Sequence, residues 1–441
     1  MLFASFSDLV IGVVSFVAAL SVIVAVHEYG HYIVGRWSGI RAEVFSIGFG
    51  PRLWSRTDRR GTRWQIAAIP LGGYVKFLGD ANAASAGVDE AAMASLSEAE
   101  RRQTMHGAPL WARAATVAAG PVANFLLSIL IFTAMVAVTG LPLDKPTVGA
   151  LRPMPVETGL APGDRILAVE GIETPDLAAL AKAADAVPPL PLYDYRVERA
   201  GAEQVVPGPA PIPALVLGVQ PRSAAVDAGL REGDVILSVD GERTPRFSDL
   251  KRLVGAAAGA PVTLEIWRDG TVFTATLKPR ERPVPGADGE LETGFLIGVS
   301  GGYWFTLATR APSPAEALSL GLRSTWGVID TTFAGLSSMI AQKISPCNLN
   351  GMIGIAQATG SAASQGLDYF IWLMAALSTA IGLVNLFPIP VLDGGHLVFH
   401  AWEWAFGRPP PDRVMNVAMA AGLMIVVALM LFGISNDLFC E

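Results

Sequence analysis

The stretch Val26-His27-Glu28-Tyr29-Gly30-His31 holds residue types and a spacing that can do chemistry. On a helix, His27 and His31 lie one turn apart on one face. There two imidazoles can hold a zinc ion while Glu28 takes a proton from the water at the metal. A five-residue match of this kind can also be two packed histidines and a chance Glu. The neighbourhood weighs against that, because the motif ends an uncharged apolar run, Leu9 to Val26, of 18 residues. That is about the length of a membrane-spanning helix. A Glu and two His at membrane depth are costly unless paired, metal-bound or facing a polar cavity. Two of the chain's five histidines are placed here.

Composition fits a membrane protein with water-soluble parts. Of 441 residues, 51% are hydrophobic and 16% charged, with a mean hydropathy of +0.44. A net charge of −7 argues against nucleic acid as a partner. Cys347 and Cys440 are too few for a disulfide framework or a four-thiolate zinc site. The first apolar run reads as a retained span and not as a signal peptide. Asp8 precedes it, no basic residue does, and it leads into the charged motif without a small-residue cleavage site.

The elements that must position the motif follow in chain order. Residues 1–36 form the first transmembrane helix. Residues 37–113 form a loop that, with Arg36 just before it, carries Arg41, Arg52, Arg56, Arg59, Arg60 and Arg63. The positive-inside rule puts that end in the cytoplasm and the N-terminus outside. Within this loop, Trp64–Ile69 and Tyr74–Phe77 read as a hairpin turned by Pro70-Leu71-Gly72-Gly73, and on the residues alone it is equally a small surface hairpin or an apolar edge to which an extended substrate could add. Residues 81–103 read as loop with a short helix. Residues 114–140 form the second span, containing Gly120-Pro121-Val122-Ala123-Asn124. Asn124 is its only strongly polar side chain; it can hydrogen-bond a neighbouring helix or face the metal cavity, and chemistry alone favours the first.

A repeat follows. Gly159-Leu160-Ala161-Pro162-Gly163-Asp164 recurs as Gly229-Leu230-Arg231-Glu232-Gly233-Asp234, an offset of 70 residues that holds to Thr174-Pro175 and Thr244-Pro245. Two small α/β domains are expected, 146–212 and 213–282. The Gly-Asp turn feeding an alternating strand resembles a PDZ domain, a module that takes peptides by strand addition. The match is looser in the first copy, where Val187–Pro191 and a proline-rich run to Pro213 hide any terminal strand pair. Residues 283–366 are expected to be a connector with an amphipathic helix on the outer membrane surface, opened by the capping signature Ser313-Pro314-Ala315-Glu316. Residues 367–396 hold the third span, ending in Asn385-Leu386-Phe387-Pro388-Ile389-Pro390-Val391-Leu392-Asp393-Gly394, and 414–434 hold the fourth.

Depth then selects a third ligand. His27 lies 20 residues from Ser7, about 30 Å at helical rise. Asp393 lies 26 residues beyond Leu367 on a span that runs the same way, which brings the two depths within about two turns. A His27–His31–Asp393 set leaves one zinc position open for water. His396 and His400 are a competing pair at the same spacing, but without a Glu between them they read as helix-face residues.

Taken together, the His27–His31 motif, the Gly120–Asn124 segment and the Asn385–Gly394 segment resemble the three signature segments of the site-2 protease family of intramembrane metalloproteases. The resemblance covers nearly the whole chain. It implies an α-helical polytopic membrane protein of four transmembrane helices, with two inserted PDZ-like α/β domains and a membrane-associated β-hairpin. It implies a Zn2+ enzyme of the bacterial inner membrane, with the PDZ domains and both termini periplasmic. Its substrate would be a single-span protein within the lipid bilayer, of the anti-sigma-factor type, trimmed first by an upstream site-1-type protease in an envelope stress response. It implies that Gly72, Gly73, Tyr74, Val75, Asn124 and Asn385 meet substrate. A catalytically inactive PDZ scaffold and a zinc transporter or sensor are the alternatives from other classes.

Overall fold

The computed structural model describes residues 6–80, 90–220, 223–285, 291–343, 345–349 and 351–439. It divides into two compact units. One comprises Met1–Met135, Ala315–Leu336 and Leu349–Glu441, the other Val136–Pro314 and Ser337–Asn348.

In the first unit and at its border, four helices are long and apolar enough to cross a membrane: Val10–Trp37, Leu110–Thr139, Leu367–Asn385 and Arg413–Phe439. Large side chains such as Val14, Leu130 and Met424 point outward, as a lipid-facing surface requires, while the contacts between spans use small and hydroxylated residues. Ser128 Oγ donates to the Ala375 carbonyl at 2.9 Å and lies 2.6 Å from Thr379 Oγ1. Ser378 Oγ donates to the Asn124 carbonyl at 2.9 Å. These bonds pin the second span to the third. The third span stops at Asn385 because Pro388 and Pro390 have no N–H to continue it, and a new helix, Asp393–Phe406, starts on Asp393.

Two helices of this unit differ from the sequence reading. The amphipathic helix Pro314–Ile340 is not confined to a surface. Its stripe of Ala317, Gly321 and Thr325 is buried, and Thr325 Oγ1 donates to Ser128 Oγ at 3.4 Å within the second span. Small residues at four-residue spacing, not the capping signature, decide where it packs. A further helix, Met352–Gln365, has its amino end held by Asp437 of the last helix, whose carboxylate accepts from the amides of Gly351 at 3.1 Å and of Ile353 and Gly354 at 3.0 Å. Cys347 is disulfide-bonded, and the other cysteine of the chain, Cys440, falls outside the described residues.

After the first span come two long strands, β1 (Ala42–Thr57) and β2 (Arg63–Phe77). The sequence paired Trp64–Ile69 with Tyr74–Phe77. In the structure these two runs do not pair with each other, because Val44–Ile47 lies between them. Phe45 is opposite Trp64 on one side and Val75 on the other, and Ile47 is opposite Ile66 and Gly73. The outer half of β1 then pairs back on β2, Arg52 with Ala67 and Thr57 with Arg63. Tyr32, Phe45 and Trp64 stack at 4.4–6.0 Å between ring centres and fix this sheet to the first helix.

The second unit contains the repeat. Each copy has a four-stranded sheet of the same strand order and one ten-residue helix, and the second copy adds the short helix Ala224–Asp227. In the first copy Ile172–Glu173, Arg165–Val169, Tyr193–Arg199 and Ala202–Gly208 lie side by side, with the helix Leu177–Ala186. In the second the order is Glu242–Arg243, Val235–Val239, Val262–Arg268 and Thr271–Leu277, with the helix Phe247–Ala256. The first copy therefore does have its terminal strand pair. Its prolines fall in the connection before Tyr193, as Pro207 on an edge strand where a missing N–H is tolerated, and as Pro209, Pro211 and Pro213 beyond that strand.

The reason for the repeated Gly-Asp is visible. Asp164 and Asp234 are buried, and each carboxylate accepts two bonds of 2.6–2.7 Å from one arginine, Arg199 or Arg268. Each also accepts the amide three residues upstream at 2.8 Å. Burial alone would raise the Asp164 carboxyl, but the hydrogen bonds from Arg199 and the Ala161 amide outweigh it and hold the group below the ordinary range. The domain limits at 212 and 282 leave out three strands from further along the chain. Val299–Ser300 pairs with Gly218–Val219, Phe305–Leu307 with Val148–Leu151, and Thr309–Arg310 with Leu141–Pro142, while Trp304 fills the core of the first copy.

Candidate metal centre

The first helix and the start of the Asp393–Phe406 helix bring three ligand atoms together. His27 Nε2 lies 3.1 Å from His31 Nε2 and 3.1 Å from Asp393 Oδ2, and His31 Nε2 lies 3.6 Å from Asp393 Oδ1. Among the described residues this is the one group of three such side chains whose ligand atoms all fall within 4.8 Å of one another.

Close helix packing makes the arrangement available. A Cβ on Gly120 would come within 2.8 Å of His27 Cε1 and closer still to His31, so only glycine leaves room for both rings. The same approach lets His31 Nδ1 donate to the Thr116 carbonyl at 2.8 Å. That bond fixes the tautomer. With its proton on Nδ1, His31 presents a bare lone pair at Nε2, aimed at a second imidazole nitrogen and a carboxylate. An imidazole lone pair, a second ring nitrogen and a carboxylate facing one another are a donor set that a cation can join. Asp393 Oδ2 is in addition buried and faces His27 Nε2. Two imidazole nitrogens and one carboxylate fit zinc, with a fourth position left open.

Behind His27 sits Asn124, fully buried, its amide 3.3 Å from His27 Nδ1 and its Oδ1 without a partner. An imidazole that gives Nε2 to a metal carries its proton on Nδ1 and needs an acceptor there. Turning the Asn124 amide would bring its oxygen to that position.

Glu28 faces the same cavity of about 270 Å3, together with Gly73, Tyr74 and Val75 of β2. The backbone of Val75 hydrogen-bonds to Glu28, and a Cβ on Gly73 would stand 3.1 Å from Glu28 Cγ. A strand with a side chain at that position could not come so near the helix. Of the residues expected to meet substrate, Gly73, Tyr74 and Val75 line the cavity. Gly72 and Asn385 do not. Asn385 spends its amide on the Ile381 carbonyl of its own helix, at 3.0 Å.

Sequence reasoning left His106 and the Arg113–Glu403 pair unassigned. All five histidines of the chain, His106, His396 and His400 among them, line the one cavity. Arg113 grips Glu403 through two bonds of 2.6 and 3.0 Å and ties the second span to the Asp393–Phe406 helix. His396 and His400 stand beside the centre and outside the three-ligand group. The concentration of histidine in so histidine-poor a chain was the signal available for His106.

A membrane-embedded His-Glu-x-x-His helix with a distant Asp completing its ligands defines a class of metal-dependent hydrolases. The sequence profile of peptidase family M50 matches residues 15–429, and the chain belongs to that family, the site-2 proteases. It is a zinc metallopeptidase of the membrane. It is 36% identical over 463 residues to the regulator of sigma-E protease RseP of Salmonella typhimurium, covering 96% of this chain and 97% of that one. To the protease RseP of Yersinia pestis it is 35% identical over 450 residues, 96% and 97% of the two chains. A protein of Agrobacterium fabrum that carries a zinc-metalloprotease name is 37% identical over 427 residues, 97% and 95%.

Proposed function

We propose that this chain hydrolyses a peptide bond in the transmembrane segment of a single-span protein, with His27, His31 and Asp393 as zinc ligands and Glu28 as the general base. The observation that carries the reading is the convergence of these four side chains on one cavity whose wall is the β2 run Gly73–Val75. Bound zinc acidifies water and polarises a carbonyl as a Lewis acid. Glu28 then takes the proton on its carboxylate and can return it to the leaving amine. A substrate helix has its carbonyls committed to i→i+4 bonds and must unwind before one can react. Pairing with the exposed part of β2 would offset the bonds it loses. Asn124 serves His27 in this scheme, and substrate contacts rest on Gly73, Tyr74 and Val75.

The finer reading follows from the family resemblance. The substrate is an anti-sigma factor of the bacterial inner membrane, already trimmed by another protease. The N-terminus and both repeats lie in the periplasm, and the repeats are PDZ domains that exclude substrates with an intact outer domain. The basic run from Arg36 to Arg63 supports this orientation.

The test is co-expression with a single-span substrate tagged on both sides. Glu28→Gln should slow cleavage by about 10²- to 10⁴-fold, the range for a lost general base. Wild-type cleavage in that variant would sink the assignment.

A further inference from the structure

A second cavity, of about 390 Å3, lies away from the metal centre where the first span ends. That volume is within the roughly 300–1,000 Å3 typical of small-ligand sites. Four arginines from two places in the chain line it, Arg36 in the last turn of the helix and Arg41 just before β1, with Arg59 and Arg60 on the turn between β1 and β2, and Tyr32 and Thr62 beside them. The turn is built to present its arginines. The Asp58 carboxylate accepts the Arg60 amide at 2.8 Å, the Thr62 amide at 3.0 Å and Trp64 Nε1 at 3.2 Å, so this acid serves the turn and forms no ion pair with the arginines. Arg36 donates to the Tyr32 hydroxyl at 3.3 Å, and the other acid felt here is Glu100, across from Arg41. Among the described residues none of the four arginines is in an ion pair.

We propose that this pocket binds the phosphate of an anionic phospholipid headgroup. Four planar donors around one cavity suit the oxygens of a phosphodiester, which guanidinium groups take in bidentate fashion. The place favours a lipid over a free anion. The pocket opens at the end of a helix long and apolar enough to span, next to Trp37 at 76% exposure, and Leu53 and Trp54 on the neighbouring strand are likewise exposed. Exposed aromatics at a span's end mark the headgroup level, and basic pockets there take anionic lipids.

The test uses the full-length protein in detergent with phosphatidylglycerol and phosphatidylethanolamine of equal chain length, read by native mass spectrometry. Phosphatidylglycerol should be retained preferentially. Arg59→Ala with Arg60→Ala should weaken its retention by about tenfold or more, and both residues are exposed turn positions whose loss leaves the Asp58 bonds intact. Arg52→Ala with Arg56→Ala, equal in charge and outside the pocket, should leave retention unchanged. Equal retention of the two lipids, or equal losses in the two double variants, would reduce the cluster to diffuse positive charge and overturn the site. Displacement of phosphatidylglycerol by millimolar inorganic phosphate would overturn the lipid as its occupant.

Discussion

The repeat domains and the metal centre bury charged groups in opposite ways. In the repeats, every oxygen of the buried Asp164 and Asp234 is met by Arg199 or Arg268 and a nearby amide, within one copy. At the centre, Asn124 Oδ1 and His400 Nδ1 are buried with no partner, and the carboxylate of Asp393 meets only the ring nitrogens of His27 and His31. Buried polar atoms are almost always satisfied in a folded protein, so a local group of exceptions marks a place that something else completes. The two repeat carboxylates are complete as they stand. The centre is not.

The sharpest way to break that comparison is to remove the repeats altogether. Leu141–Pro142 and Thr309–Arg310 are paired with each other, so a short flexible linker can replace residues 143–308 without opening a new gap. The centre should keep its zinc, and under the gate reading it should cut substrate that still has its outer domain. Cleavage restricted to trimmed substrate, and slowed, would show that the repeats only tether.

A smaller effect is expected inside a repeat. Asp234→Ala leaves Arg268 without its partner and should destabilise the domain by about 3 kcal/mol, as for other broken buried pairs. Denaturant melts should show this with zinc content unchanged. A loss of zinc would mean that the two regions are not independent.

The smallest concerns the partner of His27. Asn124→Leu should weaken zinc binding by about 10- to 100-fold, the usual cost of losing a residue that orients a ligand, and Asn124→Asp should restore much of it. Competition with a chelator reads both. If zinc affinity is untouched and only the KM for substrate rises, Asn124 belongs to substrate after all.

What could be read from the chain followed the range of the interaction. The spans show as long apolar runs, the two imidazoles as an i, i+4 pair, and the repeat as a fixed offset, all local signals. Asp393 needed a depth argument, because 362 residues separate it from His31. The expected pairing of Trp64–Ile69 with Tyr74–Phe77 is not formed because Val44–Ile47 meets both runs, and no turn signal reports a strand inserted between two others. The strands at 299–310 that close both repeats, the Arg113–Glu403 pair and the seat of the Pro314–Ile340 helix are contacts between distant segments. None has a local pattern. The proline-rich stretch of the first repeat misled for a different reason, since proline is compatible with a loop and an edge strand as well as with the absence of a strand.

The central claim is that three side chains, and not the neighbouring histidine pair, hold the metal. Zinc should be measured in the purified wild-type protein and in the Asp393→Ala, His396→Ala and Glu28→Gln variants by elemental analysis against protein concentration. The account predicts stoichiometric zinc in the wild type, His396→Ala and Glu28→Gln, and its loss in Asp393→Ala. Zinc kept by Asp393→Ala and lost by His396→Ala would contradict it.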